Sequence, residues 1–181
     1  MKYYKKVELQ NGKMCTLRNP SCEDAREILQ HMILTSEETD NMLRYSDEIT
    51  TSEAEEKTYL KHIEASLDSI LISAVVDGKI VANAGFTPVS KLEKCKHRAN
   101  FGISIQKKYW SCGIGSCIMS AVLESARKAG YEQIELDVVT DNQRAINLYE
   151  KYGFKKIGTN ENAFRCRDGQ YKDLHLMSCR L

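Results

Sequence analysis

The sequence predicts an α/β fold with a mixed central β-sheet, and three observations point to it. Segments typical of strands and helices follow one another in the order β, α, α, β, β, β, α, β, α, β, β. Some consecutive strands are joined by a short turn, as in antiparallel hairpins, whereas others flank a helix, as in crossover connections. No repeat, low-complexity stretch or Gly/Ser-rich linker interrupts the chain, so we expect one domain over residues 1–181.

The first half of the chain begins with a strand at 13–20, which ends at a proline. Ser21 is an N-cap candidate for the following helix, with Asp24 at the N3 position where a capping box usually has Glu. Segment 39–50 predicts a loop or a short helical turn, and segment 51–67 predicts a second helix with acidic residues in its first turn. Apolar residues of the first helix recur at helical spacing: Ala25, Ile28, Leu29, Met32 and Ile33.

The period then changes to that of strands. Segment 69–89 holds two β-rich runs joined by Asp77-Gly78, which is a strong hairpin signal, and 98–106 is a third run. Gly130 is a natural stop for the next helix. One face of that helix carries Ile114, Ile118, Ala121, Val122 and Ser125, and the strand after it alternates Ile134, Leu136 and Val138 with polar residues.

The last part of the chain predicts a short helix and two strands. Asp141 or Asn142 can cap the helix, and Gly153 ends it. The two strands are joined through Asp168-Gly169, a turn-forming pair. Because a mixed sheet leaves edge strands unpaired, the last strand is a candidate to pair across a homodimer.

Composition excludes several classes of partner. Lys plus Arg number 26 and Asp plus Glu number 25, and this net charge of +1 gives no basis for binding nucleic acid or a membrane surface. No apolar run is long enough to span a bilayer, and the first residues lack the apolar region of a signal peptide. The seven cysteines include no Cys-x-x-Cys pair, which argues against a metal site and predicts free thiols in the cytoplasm.

The segment YWSCGIGS, residues 109–116, places Gly113 and Gly115 between a strand and a helix. Glycines let consecutive backbone N–H groups converge at a helix N-terminus, where the helix dipole also favours an anion. A tight turn that merely packs the helix on the strand explains the same glycines. The segment lacks the third glycine of a dinucleotide-binding loop and the Gly-Lys-Ser/Thr of a P-loop.

A second motif, TDNQRAINLYEKYGF, occupies residues 140–154. Asn142, Ala145 and Tyr149 are spaced by three and four residues and share one helix face. Alone, this motif predicts a capped helix whose Ala and Tyr pack into the core.

Together the two motifs are more specific. The order strand, W-x-x-G-I-G, helix, strand, N-x-x-A-x-x-L-Y-x-x-x-G-F resembles the GCN5-related N-acetyltransferase (GNAT) superfamily. The resemblance is strongest from Arg98 to Gly158, and Trp110 is typical of the branch similar to ribosomal-protein-alanine acetyltransferases. It implies a mostly antiparallel sheet with one splayed strand pair and helices on both faces.

The resemblance also implies acetyl-CoA as co-substrate. Backbone groups of the strand before the loop would pair with the pantetheine arm, and the loop amides would receive the pyrophosphate. Two positions depart from the family pattern, because Trp110 and Cys112 stand where basic or polar side chains are common. The residues expected to bind the cofactor are Ile103, Ser104, Ile105, Ser111, Cys112, Gly113, Ile114, Gly115, Ser116, Asn142, Ala145 and Tyr149.

The activity implied is transfer of an acetyl group to a primary amine by direct attack in a ternary complex. Tyr149 would act as the general acid toward the leaving thiolate. Glu48 is a candidate general base, with Glu93, His97 and Asp137 as alternatives, and each of them also fits a solvated charge. The acceptor stays open among a peptide N-terminus, an amino acid, a polyamine and another small-molecule amine, and a coenzyme A-binding sensor without activity is the alternative function.

Overall fold

The computed structural model describes all 181 residues and contains an eight-stranded sheet with four helices. The strands follow the spatial order β1-β2-β3-β4-β5-β6-β8-β7. The elements are β1 (Tyr4–Glu8), β2 (Met14–Arg18), α1 (Ala25–Glu37), α2 (Glu53–Ala65), β3 (Ile70–Val76), β4 (Lys79–Pro88), β5 (Arg98–Ile105), α3 (Ile114–Lys128), β6 (Gln133–Val139), α4 (Gln143–Lys151), β7 (Lys155–Arg165) and β8 (Tyr171–Arg180).

All neighbouring strands are antiparallel except β5 and β6, so the predicted mixed, mostly antiparallel sheet is confirmed. The β5–β6 pair is short, because its register runs only from Arg98 opposite Gln133 to Asn100 opposite Glu135. Beyond Asn100, β5 stays paired with β4 and β6 stays paired with β8. The two strands therefore splay apart, and the free edge of β5 faces the gap.

The helices cover both faces of the sheet. The predicted apolar stripe of α3 is fully buried in the larger core, together with the inner residues of the central strands. On the opposite face α1 and α2 meet β4 in a smaller core formed by Ala25, Ile28, Leu60 and Ile80. None of the helices is both long enough and apolar enough to cross a membrane.

Local turn chemistry was predicted correctly at several junctions. Asp77 and Gly78 have φ angles of 51° and 75°, as a type I′ hairpin turn requires. Gly130 and Gly153 take left-handed φ angles directly after α3 and α4. Ser21 forms the capping box with Asp24 that the sequence indicated.

The sequence prediction was wrong in two respects. It missed β1, an exposed edge strand whose lysines hide the strand period, although β1 pairs with β2 along its whole length. It also suggested that the last strand could pair across a dimer, but β8 lies inside the sheet between β6 and β7. The free edge beside it belongs to β7, because chain order does not determine the spatial order of strands.

Candidate active site

The splay between β5 and β6 opens into a cleft of about 920 Å³. One wall is the loop 109–116 with the N-terminal part of α4, and the other is α1 with the segment that follows it. The free edge of β5 runs between these two walls. The cleft therefore joins the two sequence motifs with a region of the fold that neither motif contains.

The loop presents a row of unpaired backbone donors. Ser111 and Gly113 have positive φ angles of 59° and 91°, which bend the chain into the start of α3. The backbone N–H groups of residues 111–116 donate to no acceptor within the chain, and the first bonded amide is that of Cys117, to the Gly113 carbonyl. Consecutive free donors at a helix N-terminus can form an anion-binding concavity, so this geometry is compatible with the phosphate site that the sequence suggested beside a plain tight turn.

Arg144 brings to the loop a positive charge that the loop sequence itself lacks, and it packs against Trp110. The Trp110 indole N–H donates to the Ile105 carbonyl at 2.8 Å, which fixes the ring at the end of β5. The Arg144 guanidinium lies 4.4 Å from the centroid of that ring. Arg144 is the only basic residue that lines the cleft. Sequence reasoning missed this cation, because it follows Asn142 in α4 and reaches the loop only through tertiary packing.

Tyr149 lies in the cleft among aromatic rings. Its ring packs edge-on against Phe101, with centroids 6.1 Å apart, and lies 5.8 Å from the Phe154 ring. Its hydroxyl makes no hydrogen bond within the chain, and burial raises the pKa of the phenol above its usual range. At neutral pH the phenol of Tyr149 therefore keeps its proton, and Tyr149 is one of the residues that line the cleft.

Most of the expected cofactor-binding residues line this cleft. They include Ile103, Ser104, Ile105, Ser111, Gly113, Gly115, Ser116, Asn142, Ala145 and Tyr149. Asn142 caps α4 by accepting from the Ala145 N–H at 3.3 Å, which leaves its own amide N–H groups free. Cys112 and Ile114 do not line the cleft: the Ile114 side chain is fully buried in the larger core, and only the backbone amides of these two residues belong to the row of donors.

The carboxylates of the cleft are Glu135 and Asp137, both on β6. Arg98 forms a two-point ion pair with Glu135 and lowers the pKa of that carboxyl group. Asp137 has no ion-pair partner and is exposed. It therefore remains available as a base in the cleft.

The other candidate bases lie elsewhere. Glu48 accepts from the Tyr45 N–H at 2.8 Å and lines a smaller adjoining pocket of about 250 Å³. Glu93 pairs with Lys96 at 2.6 Å in the β4–β5 connection. Neither Glu93 nor His97 lines the cleft.

A buried histidine, His31, braces β5, and the sequence analysis did not single it out. His31 of α1 is 2.8 Å from the Ser104 hydroxyl, measured from Nε2. The Gln106 amide donates to the Ile80 carbonyl at 3.0 Å and points its other N–H at His31 Nδ1. Burial lowers the pKa of His31 to about 4, so the ring is neutral at physiological pH and shares a hydrogen bond with the Ser104 hydroxyl through Nε2.

Asn83 adds an uncharged donor beside Ser104, its partner across the β4–β5 pair. The Ser73 hydroxyl donates to Asn83 Oδ1 at 2.6 Å and fixes the side-chain amide. Asn83 lines the cleft, and its Nδ2 is the one buried side-chain N or O atom without a hydrogen-bond partner. An unpaired buried donor costs about 1–3 kcal/mol, which a substrate oxygen could recover.

Acetyl-CoA should protect Cys112 from alkylation, since the backbone amide of Cys112 belongs to the row of loop donors and its thiol lies on the same short loop. At ten times the Kd, the fraction of free protein and hence the alkylation rate should fall about tenfold. Cys95, which is partly exposed in the β4–β5 connection, is the internal control and should react at an unchanged rate. Peptide mass spectrometry of iodoacetamide-treated protein measures both sites at once, and equal protection or none would contradict the loop assignment.

Comparisons with known proteins agree with this geometry. Residues 33–154 match the profile of the Acetyltransferase (GNAT) family. The L-amino acid N-acetyltransferase AaaT of Escherichia coli is 32% identical over 106 residues, which cover 58% of this chain and 64% of that protein. The chain thus spans slightly less than two thirds of that relative's length. An N-alpha-acetyltransferase of Sulfurisphaera tokodaii is 28% identical over 68% of this chain and 74% of its own.

Further matches concern the branch and the fold. The ribosomal protein bS18-alanine N-acetyltransferase of Escherichia coli is 29% identical over 39% of this chain and 47% of its own. The crystal structure of a GNAT-family acetyltransferase from Streptococcus pneumoniae superposes with a TM-score of 0.88 at 28% identity, covering 92% of this chain and 99% of that one. The fold of YncA from Salmonella typhimurium, solved with acetyl-CoA, superposes with a TM-score of 0.80 at 16% identity, covering 92% and 94%.

Proposed function

The chain belongs to the acetyltransferase (GNAT) family, and we propose that it transfers the acetyl group of acetyl-CoA directly to a primary amine bound in the same cleft. One observation carries the proposal: the loop that holds the free amides, the free edge of β5 and the residue Tyr149 all line one cleft. Unlike a binding module, this cleft also holds an unpaired carboxylate, Asp137, which favours catalysis over sensing.

The residues present fit acetyl-CoA. The loop amides would hold the pyrophosphate, and Arg144 would supply the positive charge that Trp110 and Cys112 do not. Backbone groups of Ile103–Ile105 would pair with the pantetheine amides along the free edge of β5. This arrangement leads the thioester toward Tyr149, while His31 holds the Ser104 side chain of the same strand in place.

The proposed base and acid would act on different atoms: Asp137 on the amine nitrogen and Tyr149 on the thioester sulfur. Asp137 would accept the proton that the amine loses as its nitrogen forms a bond to the acetyl carbon. Tyr149 would donate its phenolic proton to the sulfur as the carbon–sulfur bond breaks, and solvent would restore both groups afterwards. No covalent bond to the protein forms, so none of the seven cysteines is needed as a nucleophile.

The variants Asp137→Asn and Glu48→Gln test the assignment of the base. We expect Asp137→Asn to lower kcat/KM by about a hundredfold or more, because general-base catalysis typically contributes 10²–10⁴-fold. Glu48→Gln should change kcat/KM less than about threefold, since Glu48 caps a turn outside the cleft. The acetylated product of a methionine-amide acceptor, quantified by mass, avoids interference from protein thiols.

Calorimetric titration with acetyl-CoA is the matching control. Both variants should bind acetyl-CoA as the unmodified protein does, because neither side chain contacts the proposed cofactor path. A larger loss in Glu48→Gln would transfer the role of base to that residue. No binding of acetyl-CoA to the unmodified protein would contradict the proposed function itself.

A further inference from the structure

The wall of the cleft opposite the loop carries almost no positive charge. We call this wall the acceptor half; it comprises the cleft-lining residues of α1, of segment 39–43 and of the facing strands. Its charged residues are Glu135, which Arg98 neutralises, and Asp137, which has no partner. Arg144 lies at the other end, on α4. A substrate carboxylate placed beside the reacting amine would therefore lie near the negative charge of Asp137 with no cation to neutralise it, which is unfavourable.

The same half is suited to an apolar group and a neutral oxygen. Asn83 offers an unpaired N–H donor, which matches a neutral carbonyl oxygen better than a carboxylate. The apolar residues that line the acceptor half are Met32, Met42, Leu43, Leu71, Phe164 and Leu174. Two methionines among them can adapt to side chains of different shape.

The acceptor half continues into the smaller pocket of about 250 Å³. The two cavities share four lining residues: Thr39, Met42, Leu43 and Phe164. The cleft and the smaller pocket therefore form one continuous groove. Leu43 is 76% exposed at this junction. The formal charges that line the smaller pocket are balanced, because it has two arginines, Arg44 and Arg165, and two carboxylates, Asp40 and Glu48.

The two walls of the smaller pocket are tied together. Arg167, in the β7–β8 turn, donates its backbone N–H to the Tyr45 hydroxyl at 2.9 Å. Its guanidinium lies 4.0 Å from the Tyr45 ring centroid and donates to both oxygens of Asp47 at 2.8 Å. These contacts join the β7–β8 turn to segment 45–47 and so restrict changes in the width of the groove.

We propose that the acceptor is the N-terminal amine of a peptide chain with an apolar first residue, and that the chain leaves the cleft along the groove past Leu43 and Phe164. The inference rests on the proposed function and narrows its substrate class. A free amino acid carries the carboxylate that the acceptor half does not neutralise. A peptide replaces this carboxylate with a neutral amide and fills the second pocket as well.

Three matched acceptors test the proposal: L-methionine, L-methioninamide and the tetrapeptide amide Met-Ala-Ser-Ala-NH2. We expect kcat/KM to rise in that order, with L-methionine lower than L-methioninamide by about tenfold or more because its carboxylate is unpaired. Product mass measures each rate. Equal or faster acetylation of L-methionine would overturn the inference while leaving N-acetyl transfer intact.

The variants Leu43→Ala and Leu67→Ala distinguish the loss of a groove contact from the general effect of removing an exposed leucine. Both leucines are exposed, at 76% and 85%, and Leu67 lies outside the cleft and the smaller pocket. Leu43→Ala should lower kcat/KM for the tetrapeptide by about tenfold, through lost apolar contact, and less for L-methioninamide. Leu67→Ala should leave both within about twofold.

The remaining outcomes distinguish the two proposals. A Leu43→Ala effect that is equal for the tetrapeptide and L-methioninamide would overturn the groove, because only the tetrapeptide is long enough to extend past Leu43 into the smaller pocket. If acetyl-CoA binds but none of the three acceptors is acetylated, the acceptor inference is wrong while cofactor binding stands. If acetyl-CoA does not bind, the proposed function and the inference both fail.

Discussion

Replacing Tyr149 with Phe is expected to lower kcat by about a hundredfold or more while leaving the Kd for acetyl-CoA within about threefold. The ring should stay in place, because its contacts with Phe101 and Phe154 do not involve the hydroxyl. Only the proton for the leaving thiolate is lost. Steady-state kinetics with a mass-based product assay, together with calorimetry, would separate these two quantities.

The pH profile gives a second readout for Tyr149. Burial raises the pKa of its phenol, so the proton is lost only above the usual tyrosine range of about pH 10. Activity that depends on this proton should therefore persist up to about pH 10 and fall only beyond it. A kcat that is unchanged by Tyr149→Phe across the whole pH range would exclude Tyr149 as the acid.

Tyr131→Phe is the matched control for this experiment. Tyr131 is also buried with a raised pKa, and its ring packs edge-on against Phe86 at 5.4 Å. Its hydroxyl donates to the Asp68 carbonyl at 2.8 Å, outside the cleft. Tyr131→Phe should cost about 1 kcal/mol of stability through this lost hydrogen bond and leave kcat unchanged.

The parts of the site that could be predicted from sequence are those fixed by local chemistry. Gly113 takes a positive φ angle between strand and helix, and that requirement is visible in the sequence itself. Asp77-Gly78 predicts its turn in the same way. The shared helix face of Asn142, Ala145 and Tyr149 was visible in the sequence, but only the family resemblance assigned them to the site; all three line the cleft.

The parts that could not be predicted depend on tertiary packing. Periodicity favours Ile33 for the buried face of α1, yet Ile33 is 36% exposed, whereas His31 and Thr35 are buried. His31 can be buried because Ser104 and Gln106, more than seventy residues away, satisfy its ring nitrogens. No local pattern contains those partners.

The position of Asp137, the proposed general base, could be predicted from the sequence only in part. Alternation on β6 puts Ile134, Leu136 and Val138 on the core side, so Asp137 must lie on the other face. That face becomes a cleft wall only because β6 separates from β5 after Glu135. The family resemblance instead favoured Glu48, which lies in the segment between α1 and α2 and lines the smaller pocket.

Gly85→Ala is expected to be strongly destabilising, by about 3 kcal/mol or more, because it forces an overpacked contact. A Cβ at Gly85 would collide with the Ile70 carbonyl oxygen of the adjacent strand and lie 3.2 Å from the Leu71 Cα. These are backbone atoms, so no side-chain rotation can relieve the contact. The fall in Tm should be about 10 °C, measured by calorimetry or circular dichroism.

Gly102→Ala provides the matched control, because Gly102 is the partner of Gly85 across the β4–β5 pair. A Cβ there meets nothing within 4 Å. Without a steric clash, Gly to Ala removes backbone freedom from the unfolded chain and stabilises a protein by about 0.4–1 kcal/mol. Gly102→Ala should therefore be neutral or slightly stabilising, whatever it does to substrate binding.

The comparison decides why glycine occupies the β4 position. If only Gly85→Ala unfolds at lower temperature, the close approach of β3 to β4 requires glycine there, and the wall of the cleft at Gly85 is set by that approach. If both variants lose the same stability, alanine is unfavourable at either position of this strand pair, and the contact with the Ile70 carbonyl is not the cause. Because the two residues face each other across one strand pair, the strand propensity of alanine alone cannot account for opposite results.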